Sequence, residues 1–393
     1  MMFNTLDQQV LGFTDLNPID FNRLAGWLDD WRREAAELTL LALMPEAEAG
    51  KVPMLQTLCR ERNVPLSGAI FPALVTTEGF RSEGMILLRS SRALPSALVG
   101  ELPTDSFDAA ARIVAAVDGP LAGLEGGTPP TLYLIFDSLV PHIASILDSL
   151  YLSLADRVVY AGVNAGSESF QPMACLFDGE RIVGDGVLCL LLPPATVTVL
   201  EHGFQAPERL MCATGAEGNR IFQIDWQPAF TMYQEMVRSE YGIALTPENF
   251  YEYAVHFPFG ILRANNEVVV RIPVALEADG SLFCVGEAPE NSILTLLKLP
   301  LDLDDGCVLQ LVRGLEETRG SLLGRTLLCF YCAGRRMHYG GNAATLELKR
   351  LRQLSRARAL VGALTLGEIG STQTGGYPLF HNASIVCTPW GSA

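Results

Sequence analysis

Apolar residues near the start of the chain recur at intervals of three and four. They follow Asn17 and Pro18, whose residue types suit a helix N-cap and the first helical position. The apolar positions are Phe21, Leu24, Ala25, Leu28 and Trp31. This spacing places their side chains on one face of a helix. The sequence therefore predicts one amphipathic helix within residues 1–36.

From residue 37 onward, short continuous apolar runs alternate with amphipathic segments. The continuous runs predict strands at 37–44, 65–71, 84–89, 131–136, 157–163, 186–192 and 196–201. The amphipathic segments predict helices at 54–62, 106–117 and 140–152. A hairpin is predicted over 175–183, because Asp178 and Gly179 between two apolar runs suit a turn with positive φ. The alternation favours a mixed α/β sheet.

The same kind of pattern restarts after a polar stretch at 213–219. Apolar residues at helical spacing predict a helix over 226–241. Further strands are predicted at 267–276, 281–285, 292–299 and 325–332, and a further helix at 343–358. We therefore predict an α/β fold with two mixed-sheet domains, 37–225 and 226–393, flanked by helices. A ligand pocket is expected at or near their junction.

The net negative charge of the chain limits the classes of molecule that we expect it to bind. The 393 residues carry a formal net charge of −16, which repels nucleic-acid phosphates and anionic lipid headgroups. The run 187–192 is typical of the longest apolar runs and falls far short of the roughly 18 to 20 residues that cross a bilayer. We expect a cytoplasmic protein that binds neither nucleic acid nor membrane. The nine cysteines lie mostly in apolar runs, where reduced thiols are expected.

The common catalytic motifs are absent from the sequence. It has no P-loop, no G-x-S-x-G elbow and no H-E-x-x-H pair, so enzymatic activity is not expected. Cys329 and Cys332 have the spacing of a thiol pair, but on a strand their side chains point to opposite faces. No two of the five histidines are three or four residues apart, which argues against a metal site on one helix. A structural role is expected for His142, at a helix start, and for His338, in a polar loop.

His256 lies in an unusual local setting between apolar aromatic residues. Phe257 and Phe259 flank it closely, a composition that suits an imidazole meeting a flat apolar macrocycle. The same composition also suits a core histidine that hydrogen-bonds a backbone carbonyl. Arg263 and Arg271 follow on what is predicted as the next strand, eight residues apart and thus on one face. Both guanidinium groups could then reach carboxylates of one ligand.

Three segments of the chain resemble the FIST sensory domains. The stretch 361–370 followed by 378–382 resembles the closing motif of that family. The stretch 328–335 resembles the strand and arginine that precede the motif, and 64–69 resembles the small-residue turn of the N-terminal half. The resemblance covers about residues 35–390, both the FIST N and the FIST C region. It implies a bacterial intracellular module that senses a small molecule.

Within that family, segments 68–72 and 256–260 resemble the nitric-oxide-sensing NosP group. This resemblance implies haem b as cofactor, nitric oxide as ligand and a histidine kinase as partner. A homo-oligomer is a further expectation. The resemblance implies that a histidine ligates the iron, and we predict His256 in that role. From the local sequence, four further residues are predicted to contact the haem, namely Phe257, Phe259, Arg263 and Arg271. His202 and His381 are alternative iron ligands.

The family resemblance also leaves a second hypothesis, a haem-free receptor for an amino acid or another small metabolite. Its pocket would be lined by Arg335, Glu368 and Asn382. The closing motif is rich in glycines, which indicates a backbone that turns tightly or approaches a ligand closely. These glycines are Gly367, Gly370, Gly375 and Gly376. We expect this loop to line a cavity between the two halves.

Overall fold

The computed structural model describes residues 11–124, 127–193, 196–264, 267–298, 306–371 and 376–391. These residues form a mixed α/β fold, which confirms the predicted class. Its helices are α1 (Phe21–Glu34), α2 (Val52–Glu61), α3 (Ser106–Ala122), α4 (Ile143–Leu154), α5 (Ala229–Tyr241), α6 (Phe250–Ala254), α7 (Gly306–Arg319), α8 (Ala333–Tyr339) and α9 (Gly341–Ser355). In the part of the chain that the structure describes, no helix is long and apolar enough to span a bilayer.

The strands are short and numerous in both halves of the chain. Up to residue 201 they are β1 (Leu11–Leu16), β2 (Thr39–Pro45), β3 (Leu66–Phe71), β4 (Leu74–Thr76), β5 (Gly79–Arg81), β6 (Met85–Ser90), β7 (Ser96–Val99), β8 (Thr131–Asp137), β9 (Val159–Ala165), β10 (Leu176–Asp178), β11 (Ile182–Val183), β12 (Val187–Leu192) and β13 (Val199–Glu201). Beyond it they are β14 (Met211–Cys212), β15 (Gly215–Glu217), β16 (Arg220–Ile224), β17 (Gln227–Pro228), β18 (Phe259–Leu262), β19 (Val268–Arg271), β20 (Pro273–Leu276), β21 (Leu282–Cys284), β22 (Ile293–Leu296), β23 (Thr326–Cys332), β24 (Ala359–Thr365), β25 (Glu368–Gly370), β26 (Leu379–His381) and β27 (Ile385–Trp390).

Three larger sheets form the body of the molecule, and two of them combine strands from both halves of the sequence. Their strand orders are β1-β6-β2-β3-β10-β11, β26-β25-β9-β8-β12-β7 and β13-β27-β23-β24-β4-β5. The late strand β25 thus pairs with β9, and the early strand β4 pairs with β24. The two halves interlock through shared sheets, and the boundary near residue 225 stays a prediction. Two smaller sheets, β14-β22-β18-β19 and β15-β16-β21-β20, lie entirely beyond residue 210.

Side chains that alternate along the strands fill a central core and two outer layers. On β8, Tyr133 and Ile135 face a central cluster shared by the three larger sheets, whereas Leu132 and Leu134 pack against α3 and α4. Helices α7 and α9 cover the outer face of the sheet that contains β23 in the same way. Strands buried on both faces read as continuous apolar runs, which explains why most of them were visible in the sequence.

Three parallel strand pairs of the larger sheets share one feature, a glycine in the middle of the second strand. The pairs are β2 with β3, β8 with β9 and β23 with β24, and the glycines are Gly68, Gly162 and Gly362. A Cβ at these positions would lie 2.8, 2.1 and 1.8 Å from the carbonyl oxygen of the residue opposite. Glycine is therefore required where two strand backbones approach this closely.

Local details correct several sequence predictions. Helix α1 is present, but Asp20 caps it by accepting from the backbone N–H groups of Asn22 and Arg23, so the predicted start at Asn17 and Pro18 is wrong. The hairpin of β10 and β11 is present, but its turn has no positive φ. Instead, the Asp178 carboxylate accepts from the backbone N–H groups at 180 and 181, which closes the turn with a side chain.

The second half contains the larger corrections. The predicted strand 267–276 is two strands, β19 and β20, that belong to different sheets. His338 lies on α8 rather than in a loop. Helix α7 was not predicted, although Val308, Leu311, Val312 and Leu315 are buried at helical spacing. The predicted strand at 292–299 is present as β22, while residue 299 lies outside the described residues.

Candidate functional site

A cavity of about 850 Å³ lies between the two halves of the chain. The first half contributes residues 138–143, which lead into α4, and residues around the end of β9. The second half contributes α6, β20, the start of α8 and the segment around β26. Tyr251 and Met337 are largely exposed and mark the opening of the cavity to solvent. Ligand sites in proteins typically occupy about 300 to 1,000 Å³.

The wall is mainly apolar, and Phe380 forms its inner part. The Phe380 ring lies between Gly286 and Gly367, where a Cβ would approach ring carbons within 2.8 and 2.4 Å. Gly286 has φ +88°, a conformation that other residues rarely adopt. The two glycines therefore leave room for the ring, and Ile272, which precedes β20, lines the cavity together with Phe380.

Two asparagine side chains form the buried polar end of the cavity. Asn164 on β9 is 1% exposed, and its Oδ1 makes no hydrogen bond within the described residues. Asn382, which follows β26, is also 1% exposed. Its Oδ1 accepts from the backbone N–H of Ile272 at 3.3 Å, and its Nδ2 donates to the carbonyl of His381 at 3.1 Å. The carboxamide oxygen of Asn164 is therefore free to accept a hydrogen bond from a ligand, whereas that of Asn382 already accepts one from the protein.

Ionic contacts hold several charged groups at the cavity edge. Glu168 accepts from the Arg336 guanidinium at 2.7 Å, and Arg220 donates to Asp279 at 3.1 Å. His142, which precedes α4 with φ 57°, lies 3.3 Å from a carboxylate oxygen of Glu287. This contact agrees with the structural role predicted for His142, which stays a prediction because His142 also lines the cavity. The charges of these side chains are largely compensated by their partners.

The pocket predicted for the metabolite hypothesis is only partly assembled. Asn382 lines the cavity, but Arg335 and Glu368 do not. The Arg335 guanidinium donates to both carboxylate oxygens of Glu347, at 2.9 and 2.6 Å, and to the carbonyls of His202 and Ala383. The Arg335 guanidinium therefore directs no hydrogen bond into the cavity. Its bonds hold α8 against α9 and the neighbouring backbone.

Glu368 is fully buried behind the cavity wall. Its carboxylate accepts from the hydroxyl groups of Thr365 and Ser384, each at 2.6 Å. Burial raises the pKa of Glu368 to about 7, although these hydroxyl groups favour the ionised form. The closing motif therefore lines the cavity through Leu366 and Phe380 rather than through Glu368. Gly375 of this motif lies outside the described residues.

The raised pKa of Glu368 makes stability depend on pH in a defined direction. In the unfolded chain this carboxyl ionises near pH 4.5, but in the folded protein it keeps its proton to about pH 7. Its contribution is therefore full below pH 4.5 and is lost as pH rises to 7. We expect Glu368→Gln, which stays neutral, to gain about 2 kcal/mol relative to the wild type between pH 5 and 8.

Urea denaturation at pH 5, 6, 7 and 8 measures this difference. Glu317→Gln, at an exposed position on α7, is the matched control and should parallel the wild type at every pH. Parallel profiles for Glu368→Gln and the wild type would contradict the raised pKa.

The residues predicted to hold haem do not line the cavity. Nδ1 of His256 lies 2.8 Å from Nδ1 of His338, so the imidazole meets another imidazole on α8. Phe257 packs against Tyr241, with 4.5 Å between ring centroids, and Phe259 packs against Tyr233 at 5.2 Å. Both phenylalanines belong to the apolar core. Neither ring offers a face to a flat ligand.

The two arginines of the haem prediction do not share a strand. Arg263 follows β18, and the chain then reverses into β19, which ends at Arg271. The predicted common face is therefore wrong. Arg271 is buried and donates to the carbonyls of Val270, Glu287 and Phe380, at 2.9, 2.7 and 2.8 Å. Three of its five N–H donors are bonded to carbonyls, and the two phenylalanine rings are packed in the core, so these residues do not fit a haem site. Haem binding stays a prediction from resemblance.

The alternative iron ligands are also enclosed by protein. His202 accepts from the backbone N–H of Phe204 at 3.0 Å, and its Nε2 lies 3.2 Å from the carbonyl of Val268. Burial lowers the pKa of His202 to about 4. His381 is fully buried, and burial lowers its pKa as well. Within the described ranges, no three His, Cys, Asp or Glu side chains cluster closely enough to hold a metal ion.

Sequence reasoning missed most of the cavity. Asn164 ends an apolar strand and carries no local motif, and Phe380 reads as an ordinary core residue. The available sequence signal was the pair Gly286 and Gly367. Such glycines indicate that another group approaches the backbone closely, but they do not identify that group as the Phe380 ring.

Comparison with known proteins agrees with this arrangement. The FIST N domain model matches residues 39–227, and the FIST C domain model matches residues 229–371. A search of curated proteins finds no match. The two matched regions supply the two sides of the cavity. Together they cover most of the chain, which therefore belongs to the FIST-domain sensory proteins.

Proposed function

We propose that the protein is a haem-free receptor that binds a small organic molecule in the cavity between its FIST N and FIST C regions. The observation that carries this proposal is the cavity itself, about 850 Å³ in volume, with an apolar wall and a few polar groups. Sites of this composition bury most of a small ligand and orient it through their polar groups.

A ligand in this cavity would contact both matched regions at once. The segment 138–143 and Asn164 belong to the FIST N region, whereas α6, β20 and α8 belong to the FIST C region. A molecule that binds one relative packing of these walls more tightly than another shifts the population toward it. This supports a sensory role in which a partner protein recognises the packing, and we propose a histidine kinase as such a partner.

Blocking the cavity provides a direct test. Ala275 lies on β20, is half-buried and lines the cavity, so Ala275→Trp places an indole ring in the ligand volume. Thermal unfolding is measured with a panel of amino acids, short-chain amides, carboxylic acids and amines. We expect at least one compound to raise the Tm of the wild type and to leave that of Ala275→Trp unchanged.

The matched control is Ala278→Trp. Ala278 is exposed in the turn that follows β20 and does not line the cavity, so this variant should respond like the wild type. A compound that stabilises all three proteins equally binds elsewhere, and that result would contradict the proposal. A Soret band in the purified protein that disappears in His256→Ala would favour the haem-based nitric oxide sensor instead.

A further inference from the structure

Asn164 carries a buried carboxamide whose Oδ1 has no hydrogen-bond donor among the described residues. Its backbone is fixed, because its N–H donates to the carbonyl of Gly367 at 2.8 Å and its carbonyl accepts from the N–H of Leu366 at 3.1 Å. The side chain lines the cavity, is 1% exposed, and its Oδ1 has no donor among the described residues. Leaving such an acceptor unpaired costs about 1–3 kcal/mol.

The cavity wall around this carboxamide is uncharged. The buried residues that line the cavity together with Asn164 include Leu366, Phe380, Asn382 and Cys332. Burial raises the pKa of the Cys332 thiol, which therefore stays protonated and neutral. Three charged side chains line the cavity elsewhere: Glu168 and Arg220 are paired with other protein groups, and Glu217 is exposed to solvent. A carboxylate or ammonium placed beside Asn164 would lose its hydration without gaining a counter-charge, which is strongly unfavourable.

A carboxamide pairs best with another group of its own kind. One oxygen acceptor and two N–H donors are available on the Asn side chain. An amide or lactam on the ligand can accept one bond and donate one, and thereby satisfy Oδ1 and one N–H together. A hydroxyl group can donate to Oδ1 or accept from the N–H, but its single oxygen atom cannot make both bonds to one carboxamide with good geometry.

We infer that the ligand of this cavity is an apolar molecule with an uncharged amide or lactam group, which pairs with Asn164. This inference rests on the proposed function and adds the chemical class of the ligand. Ile272, Phe380 and the other apolar residues of the wall would enclose the body of the molecule. Asn164 acts as the specificity-determining residue, while Asn382 keeps one N–H for the same head group.

Three matched probes test the inference, because they share one apolar body and differ only in the head group. They are 4-phenylbutanamide, 4-phenylbutanoate and 4-phenylbutylammonium, and their affinities are measured by ligand-observed NMR at neutral pH. We expect the wild type to bind the amide at least tenfold more tightly than either charged probe. Asn164→Leu should lower the amide affinity about tenfold, which corresponds to about 1.4 kcal/mol. Its affinities for the charged probes should change little.

A second variant keeps the test independent of how Asn164→Leu folds. Asn164→Asp has nearly the same shape but carries a negative charge, so it should reverse the preference toward the ammonium probe. Equal or tighter wild-type binding of a charged probe would overturn the inference, and so would failure of all three probes to bind. If the probes that bind the wild type do not bind Ala275→Trp, the proposed function stands even when the inference about the head group is wrong. If they bind Ala275→Trp equally well, the proposed function is wrong too.

Discussion

Arg335→Met is expected to lower the free energy of unfolding by about 3–5 kcal/mol, because it removes one partner of a buried ion pair. Arg335 and Glu347 are each only 2% exposed, and two nitrogen-to-oxygen contacts of 2.9 and 2.6 Å join them. The substitution leaves the Glu347 carboxylate with Tyr331 as its remaining donor. It also removes the donor to the carbonyls of His202 and Ala383. Urea denaturation at pH 7 measures the loss.

The neighbouring residue offers a matched control. Arg336 pairs with Glu168 at 2.7 Å, but both side chains are partly exposed, at 26% and 34%. Exposed pairs contribute about 0–1 kcal/mol, so Arg336→Met should cost little. The double variant Arg335→Met with Glu347→Leu should recover part of the stability, since no unpaired charge remains. If Arg335→Met costs no more than Arg336→Met, the buried pair does not exist in solution.

This ion pair explains why Arg335 stood out in the family-like motif without being a ligand contact. It joins α8 to α9, and the first residues of α8, Ala333 and Gly334, form part of the cavity wall. Its effect on ligand binding is therefore to position α8. A sequence motif contains structural residues and ligand-contacting residues alike, and only the direction of the side chain in the structure distinguishes them.

The strands were predictable because burial on both faces leaves a direct trace in the sequence. Runs such as β8 and β12 contain almost only apolar residues, and their bounds were predicted within a residue or two. The interrupted segment 267–276 failed because the chain changes sheets at Ile272 while remaining apolar. Arg263 and Arg271 were misplaced for a related reason, since equal spacing along the chain implies one face only if the strand is continuous.

The cavity could not be predicted because its parts lie far apart in the sequence. Asn164 lies in the FIST N match and Asn382 lies beyond the end of the FIST C match, 218 residues away, and neither is near a catalytic or metal-binding motif. The role of His256 was undecided for the same reason. Its neighbour His338 lies 82 residues away, and no local composition reveals that contact.

The glycines in the parallel strands were partly predictable, less so than the strands and more so than the cavity. A glycine inside an apolar strand indicates a close backbone approach, so Gly68, Gly162 and Gly362 each carried a signal in the sequence. The register, which places Gly362 opposite Cys329, comes only from the paired strands. The same arrangement occurs in three parallel pairs, which indicates a packing requirement of the fold rather than of one site.

Gly362→Ala is expected to destabilise the protein by several kcal/mol, because the added Cβ has no space. It would lie 1.8 Å from the carbonyl oxygen of Cys329 and 2.6 Å from its carbonyl carbon. Strand β24 is paired with β23 on one side and β4 on the other, so neither backbone can shift without breaking hydrogen bonds. Soluble yield and urea denaturation measure the effect.

Gly26→Ala is the control, since Gly26 is exposed on α1 with nothing within 4 Å of its Cβ position. This variant should gain about 0.5–1 kcal/mol in the free energy of unfolding. If both variants unfold at the same urea concentration as the wild type, the register of β23 and β24 is incorrect.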